Sequence, residues 1–148
     1  MNTMSYRISQ EYGAFLDNQL DWSVFATFTT EYNLPRNSAR MLIERLNKQI
    51  TKGLKYPLNT FWVAEQNGLS NNYHLHVLYY SPMDTKELIS RVQNAWLLVS
   101  KIKGVTCQNR FDIREYLKGG HAGSYITKTF YEKDVEYDFI IYTPNDYN

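Results

Sequence analysis

Disulfide chemistry is absent. The chain of 148 residues has one cysteine, Cys107. A single thiol excludes an internal disulfide and fits a reducing compartment. Set in VTCQNRFDI, Cys107 reads as a small core residue rather than a nucleophile. No apolar run is long enough to cross a bilayer, so no membrane partner is expected. The opening MNTMSYRISQEYG lacks the basic-then-apolar pattern of a secretory leader. No G-x-x-x-x-G-K loop occurs, which excludes a helicase of the P-loop type. Repeats, low-complexity tracts and linkers are also missing, so residues 1–148 read as a single domain with a sizeable core.

Net charge is scarce as well, only +1. Its distribution is uneven. Residues 33–128 carry 14 of the 16 Lys and Arg but 6 of the 15 Asp and Glu, while both ends are acidic. A basic middle between acidic ends makes a polyanion-binding face that the total conceals. What the chain has in quantity is aromatic rings, including 13 tyrosines and 3 tryptophans. Most belong to the core or the ordinary surface, and some could stack on unpaired bases.

The most informative stretch is YHLHVLYY at 73–80, a β-strand by composition. Side chains on a strand alternate faces, so His74 and His76 point the same way. Two imidazoles side by side suit a divalent metal. The plain alternative is two polar residues on a solvated strand face. Around this strand the pattern predicts strands at 22–30, 60–66, 105–113 and 137–142. In the first of these, Trp22, Val24, Ala26 and Phe28 share a face. A helix follows Pro35 with Asn37 or Ser38 as N-cap, runs to about Lys52 and stops at Gly53. Its apolar positions are Ala39, Leu42, Ile43, Leu46 and Ile50. Arg40, Arg45, Lys48 and Lys52 form a basic ridge on its other face, a candidate DNA contact. A second helix spans 85 to about 103, with Asp84 as N-cap and Leu88, Val92, Ala95, Trp96 and Val99 on one stripe. A third follows Gly123.

The order β-α-β-β-α-β, then helix and strand, predicts an α+β fold. Its sheet of about five antiparallel strands has helices on one face, the split βαβ plan of ferredoxins and RNA-recognition modules, and the site lies on the open face. The stacking consensus of RNA-recognition modules is absent. Glu65 is the only acid between Glu44 and Asp84. If it pairs opposite His74, it joins the histidines; a one-residue slip puts Gln66 there instead. Two imidazoles and an oxygen suit Mg²⁺ or Mn²⁺, with zinc left open by the ligands alone. Downstream, GSYITKTFYEK places Tyr125 and Lys128 at i and i+3 on a helix, where a cation favours the phenolate. Tyr116, before a glycine-rich break, is loosely placed. His121 reads as an ordinary loop residue and Tyr131 as packing or a substrate contact.

In order, these motifs resemble the HUH endonucleases, and among them the rolling-circle replication initiators (Rep proteins) of small single-stranded DNA viruses, phages and plasmids. FATFTT at 25–30 is similar to their first motif, HLHVL at 74–78 to their second and YITK at 125–128 to their third. The resemblance covers about residues 22–142. It implies one divalent cation, Mg²⁺ or Mn²⁺, held by Glu65, His74 and His76. It implies Tyr125 as the nucleophile that leaves a 5′-phosphotyrosine, with Lys128 beside the phosphoryl group. FATFTT would be chiefly a central strand. The implied partner is single-stranded DNA at a replication origin, in a hairpin loop or its flank, in the host cytoplasm, or in the nucleus of a eukaryotic host. A homodimer is left open. Position 129 is Thr where some relatives carry a second tyrosine, which favours a one-tyrosine enzyme. Alternatives are a one-tyrosine HUH transposase, a non-catalytic nucleic-acid-binding module of the same fold, and a structural protein with a surface zinc clip. Replacing either histidine is expected to abolish cleavage and largely spare the fold.

Overall fold

The computed structural model describes residues 20–66, 72–101, 109–118 and 136–141, with positions 11, 13–15 and 18. The elements run β1 (Val24–Thr29), α1 (Arg36–Ile50), β2 (Asn59–Gln66), β3 (Tyr73–Tyr80), α2 (Thr85–Val99), β4 (Arg110–Glu115) and β5 (Glu136–Ile140). The strands form one sheet in the order β4-β1-β3-β2-β5, and every neighbouring pair is antiparallel. The first four strands have the split βαβ order, and β5 adds to the β2 edge. The α+β class and the five-strand sheet expected from the pattern are therefore present. Among the described residues, no helix is long and apolar enough to cross a membrane.

Strand alternation divides the sheet into two faces. Val24, Ala26 and Phe28 of β1, Trp62 and Ala64 of β2, and Leu75, Val77 and Tyr79 of β3 bury against Leu42, Ile43, Leu46 and Ile50 of α1 and Leu88, Val92, Ala95 and Trp96 of α2. Phe28 stacks on Trp96 with ring centroids 4.4 Å apart. This core holds one polar chain. The Tyr79 hydroxyl donates to Asn47 Oδ1 at 2.8 Å, and Asn47 Nδ2 donates to Thr60 Oγ1 at 3.0 Å, tying α1 to β2 and β3. Burial pushes the Tyr79 phenol up, so it stays a neutral donor.

The opposite face carries a second, smaller cluster of Trp22, Phe61, Val63, Leu78 and Tyr116. Trp22 thus departs from the expected strand face. β1 begins only at Val24, so period-two alternation does not extend back to position 22. Tyr116 is also not loosely placed. It is 6% exposed, and its backbone N–H donates to Ser23 O at 3.0 Å. The face is therefore partly covered, and Phe15 adds an edge contact to Phe139.

Element ends shift for identifiable reasons. α1 starts at Arg36, with Pro35 in extended conformation as its N-cap, rather than at Asn37 or Ser38. The proline ring pre-sets the backbone, and no side chain supplies the cap bond. At the other end Thr51 is the C-cap, and Gly53 takes φ +80°, a turn that a side chain rarely adopts. Arg91 closes this end by donating to Ile50 O and Lys52 O, both at 3.3 Å. The Asp84 cap of α2 is present, with Glu87 N–H donating to its carboxylate at 3.2 Å. α2 ends at Val99, short of 103, where Asn109 Nδ2 takes the Ser100 carbonyl at 2.7 Å. β4 runs on through Arg114 and Glu115, opposite Phe25 and Val24. An edge position tolerates these charged residues, which carry the strand past the expected end at 113, while 105–108 lie outside the described residues.

Candidate metal centre

The β2–β3 register settles the position that the sequence left conditional. Glu65 pairs with His74 and Val63 with His76, so Glu65, His74 and His76 share the face opposite the helices. Glu65 Oε2 stands 3.3 Å from His76 Nε2 and 3.9 Å from His74 Nε2. The two imidazoles meet edge to face with centroids 4.8 Å apart. One ligand atom from each of the three residues lies within 4.8 Å of the others. Six-coordinate Mg²⁺ holds oxygen ligands at about 2.0–2.1 Å, which places adjacent ligands about 3 Å apart. The His76–Glu65 pair, at 3.3 Å, is already near that spacing, and the His74–Glu65 pair is wider at 3.9 Å. Imidazole nitrogens with one carboxylate oxygen form a mixed donor set that fits Mn²⁺ or Mg²⁺ and also Zn²⁺.

Burial is graded across the trio. His76 is 1% exposed, against 19% for the His74 side chain and 14% for Glu65. The expectation that both histidines face solvent therefore needs correction for His76. It sits on β3 between β1 and β2, with the Phe25 ring parallel to it at 6.3 Å. Neither imidazole enters the helix-packed core.

Thr27 is a neighbour of the trio that the sequence reading did not single out. Its Oγ1 lies 3.1 Å from His76 Nδ1, and the two residues are register partners across β1 and β3. A histidine that uses Nε2 as a ligand gains orientation and basicity when Nδ1–H donates to a neighbour. Thr27 is placed to accept that bond. FATFTT is thus more than a central strand. The only sequence signal was Thr27 alternating away from Ala26 and Phe28, and the β1–β3 register is needed to give it meaning. Asp112 lies opposite Thr27 on β4, where Arg114 Nε donates to its carboxylate at 3.0 Å.

The other predicted residues separate. Arg40 is engaged at the sheet edge: it donates to Asp138 at 2.6 Å, lies 3.4 Å from Glu136 and sits over the Trp62 ring at 5.2 Å. Arg45 and Lys48 on α1, and Lys52 just past its end, are exposed on the far side of the sheet from Glu65, His74 and His76. Five residues turn a helix through 500°, so Arg40 and Arg45 lie about 140° apart rather than on one ridge. Tyr125, Lys128, His121, Tyr131 and Cys107 lie outside the described residues. Comparison with known proteins finds no matching family model, no matching curated protein and no matching solved structure.

Proposed function

We propose that this chain is a metal-dependent single-stranded DNA endonuclease and strand-joining enzyme of the HUH type, one that initiates rolling-circle replication. The observation that carries the reading is the convergence of Glu65, His74 and His76 on one sheet face, which the HLHVL motif and an upstream acid anticipate. The order of FATFTT, HLHVL and YITK in the sequence supports it.

Glu65, His74 and His76 would hold one Mg²⁺ or Mn²⁺, which when bound polarises a scissile phosphodiester. Thr27 fixes the His76 ring so that Nε2 points to Glu65. The Tyr125 phenolate attacks phosphorus, the P–O3′ bond breaks, and the leaving 3′-oxygen takes up a proton. The product is a 5′-phosphotyrosine whose bond energy is kept for rejoining the strand. Lys128 places a cation against the phosphoryl charge.

Incubation with a pool of single-stranded oligonucleotides and Mn²⁺, followed by a denaturing gel, tests the reading. A protein–DNA adduct that needs the divalent cation is expected, and Tyr125→Phe should abolish it. Cation-dependent binding without any adduct in the wild type would instead make the chain a non-catalytic nucleic-acid-binding module. An adduct that Tyr125→Phe retains, mapped to another tyrosine, would displace Tyr125 while leaving the enzyme class in place.

A further inference from the structure

The exposed cations of α1 have no role at the metal centre, because the sheet separates them from it. They border a groove between α1 and α2. One part, of about 580 Å³, is lined by Arg45, Lys48 and Lys52 with Val99. A second part, of about 220 Å³, shares Gln49 and Lys52 with the first and adds Arg91 and Asn94. Four cations and no carboxylate line the two parts together. Among the described residues, none of the ion pairs involves Arg45, Lys48 or Lys52. Glu44, the nearest acid in sequence, lines a neighbouring hollow on the Tyr56 flank of α1, which Lys48 also borders.

We propose that this groove binds the sugar–phosphate backbone of duplex DNA, on the side of the protein opposite the metal centre. The proposal rests on the reading of the chain as a DNA enzyme and adds a second surface to it. Two features favour a duplex. The lining holds no aromatic side chain, so it offers no platform for unpaired bases, whereas Phe25, Phe61, Tyr137 and Phe139 lie on the metal face. Arg45 and Lys48 lie one turn apart on α1 and Lys52 follows just past its end, a run on the order of 10 Å that matches about three nucleotides of one duplex strand. The groove therefore supplies sequence-independent affinity for duplex DNA on a surface separate from the metal face.

Arg45→Gln/Lys48→Gln/Lys52→Gln removes three cations at exposed positions and keeps good helix formers. Arg91 is left in place because it closes the end of α1. A charge-matched control, Lys55→Gln/Lys86→Gln/Lys101→Gln, alters exposed lysines that do not line the groove. Binding of a blunt, fluorescently labelled duplex is followed by anisotropy against salt, in chelator and in the Tyr125→Phe background. The groove variant should flatten the plot of log K against log salt by about 2 to 3 units and lose at least about tenfold in affinity near 0.1 M salt. The control should keep most of the wild-type slope, and circular dichroism should show both variants folded. Equal slopes for the two variants, an unchanged groove variant, or a wild type that does not bind duplex would overturn the proposal. An equal loss for single-stranded oligonucleotides would overturn the duplex assignment. None of these readouts needs cleavage, so their failure leaves the adduct test to decide the nuclease reading separately.

Discussion

Thr27→Val is the sharpest probe of the metal centre, because it changes one atom's chemistry and almost no volume. Valine keeps the branched shape that β1 favours but removes the oxygen 3.1 Å from His76 Nδ1. His76 is 1% exposed, so water does not readily replace the lost partner. Losing a hydrogen-bond partner to a buried group costs about 1–3 kcal/mol, more than the roughly 1 kcal/mol net worth of an average hydrogen bond. Urea unfolding should show that loss as a lower midpoint with an unchanged slope. Mn²⁺ affinity, measured by titration calorimetry, should fall about 10- to 100-fold, the usual result of removing the group that orients a ligand histidine. That is about 1.4–2.8 kcal/mol of binding free energy. Thr27→Ser keeps the oxygen and should restore most of the affinity. Wild-type Mn²⁺ affinity in Thr27→Val, or equal loss in Thr27→Ser, would show that the contact does not orient His76 for metal.

Other outcomes follow from burial and pairing. His74→Ala and His76→Ala should both abolish Mn²⁺ binding. Only His76→Ala should also lower stability by about 2–3 kcal/mol, since it opens a void beneath Phe25; equal melting temperatures would refute the burial contrast. Tyr79→Phe leaves Asn47 Oδ1 without its hydroxyl donor and should cost about 1–3 kcal/mol in urea unfolding, with metal affinity unchanged. The hydrogen bond from Arg40 holds the Asp138 carboxyl below the usual carboxylate range, aided by the Phe139 N–H. A carboxyl depressed in the folded state adds stability above its unfolded value, near pH 4, and loses it as pH falls through the folded value. The pH-dependent part of the melting difference between wild type and Arg40→Met should therefore be present at pH 6 and vanish toward pH 2. It should be small and salt-sensitive, because both side chains are nearly half exposed.

The β-α-β-β-α-β order was legible because its signals are local. Alternation marked YHLHVLYY, helical spacing marked Leu88, Val92, Ala95 and Trp96, and a carboxylate cap marked the start of α2. Glu65 was legible only as one of two registers, since a single slip exchanges it with Gln66. Alternation gave Thr27 its face but not its neighbour. Its meaning depends on β1 inserting between β4 and β3, a pairing across 49 residues that no local pattern encodes. The end of β4 was set two residues short, because Arg114 and Glu115 are charged and an edge strand tolerates charge that a sequence pattern reads as its end. The basic ridge failed as a single surface for a geometric reason. Arg40 turns toward β5 and its acids, while Arg45, Lys48 and Lys52 turn toward α2.

The placement of the trio bears on how a small chain could hold a metal firmly. β3 lies at the centre of the sheet, so His76 is braced from β1 by Thr27 and faces Glu65 on β2. Each ligand thus sits on a strand hydrogen-bonded on both sides, and the buried α1–α2 core lies directly beneath. Strand sites hold side chains in position more closely than loop sites do. YITK, in contrast, lies between β4 and β5 in the chain, apart from the strands that carry Glu65, His74 and His76. Under the proposed function, attack on a phosphodiester and later rejoining ask for the same division: fixed ligands for the cation and a separate segment that carries the bond. The architecture therefore predicts that substitutions at Thr27, Glu65, His74 and His76 act on cation affinity. Substitutions at Tyr125 and Lys128 should leave that affinity intact and act only on adduct yield. Titration calorimetry and the denaturing gel, run on the same six variants, separate the two groups, and a Tyr125→Phe protein that lost Mn²⁺ binding would break the division.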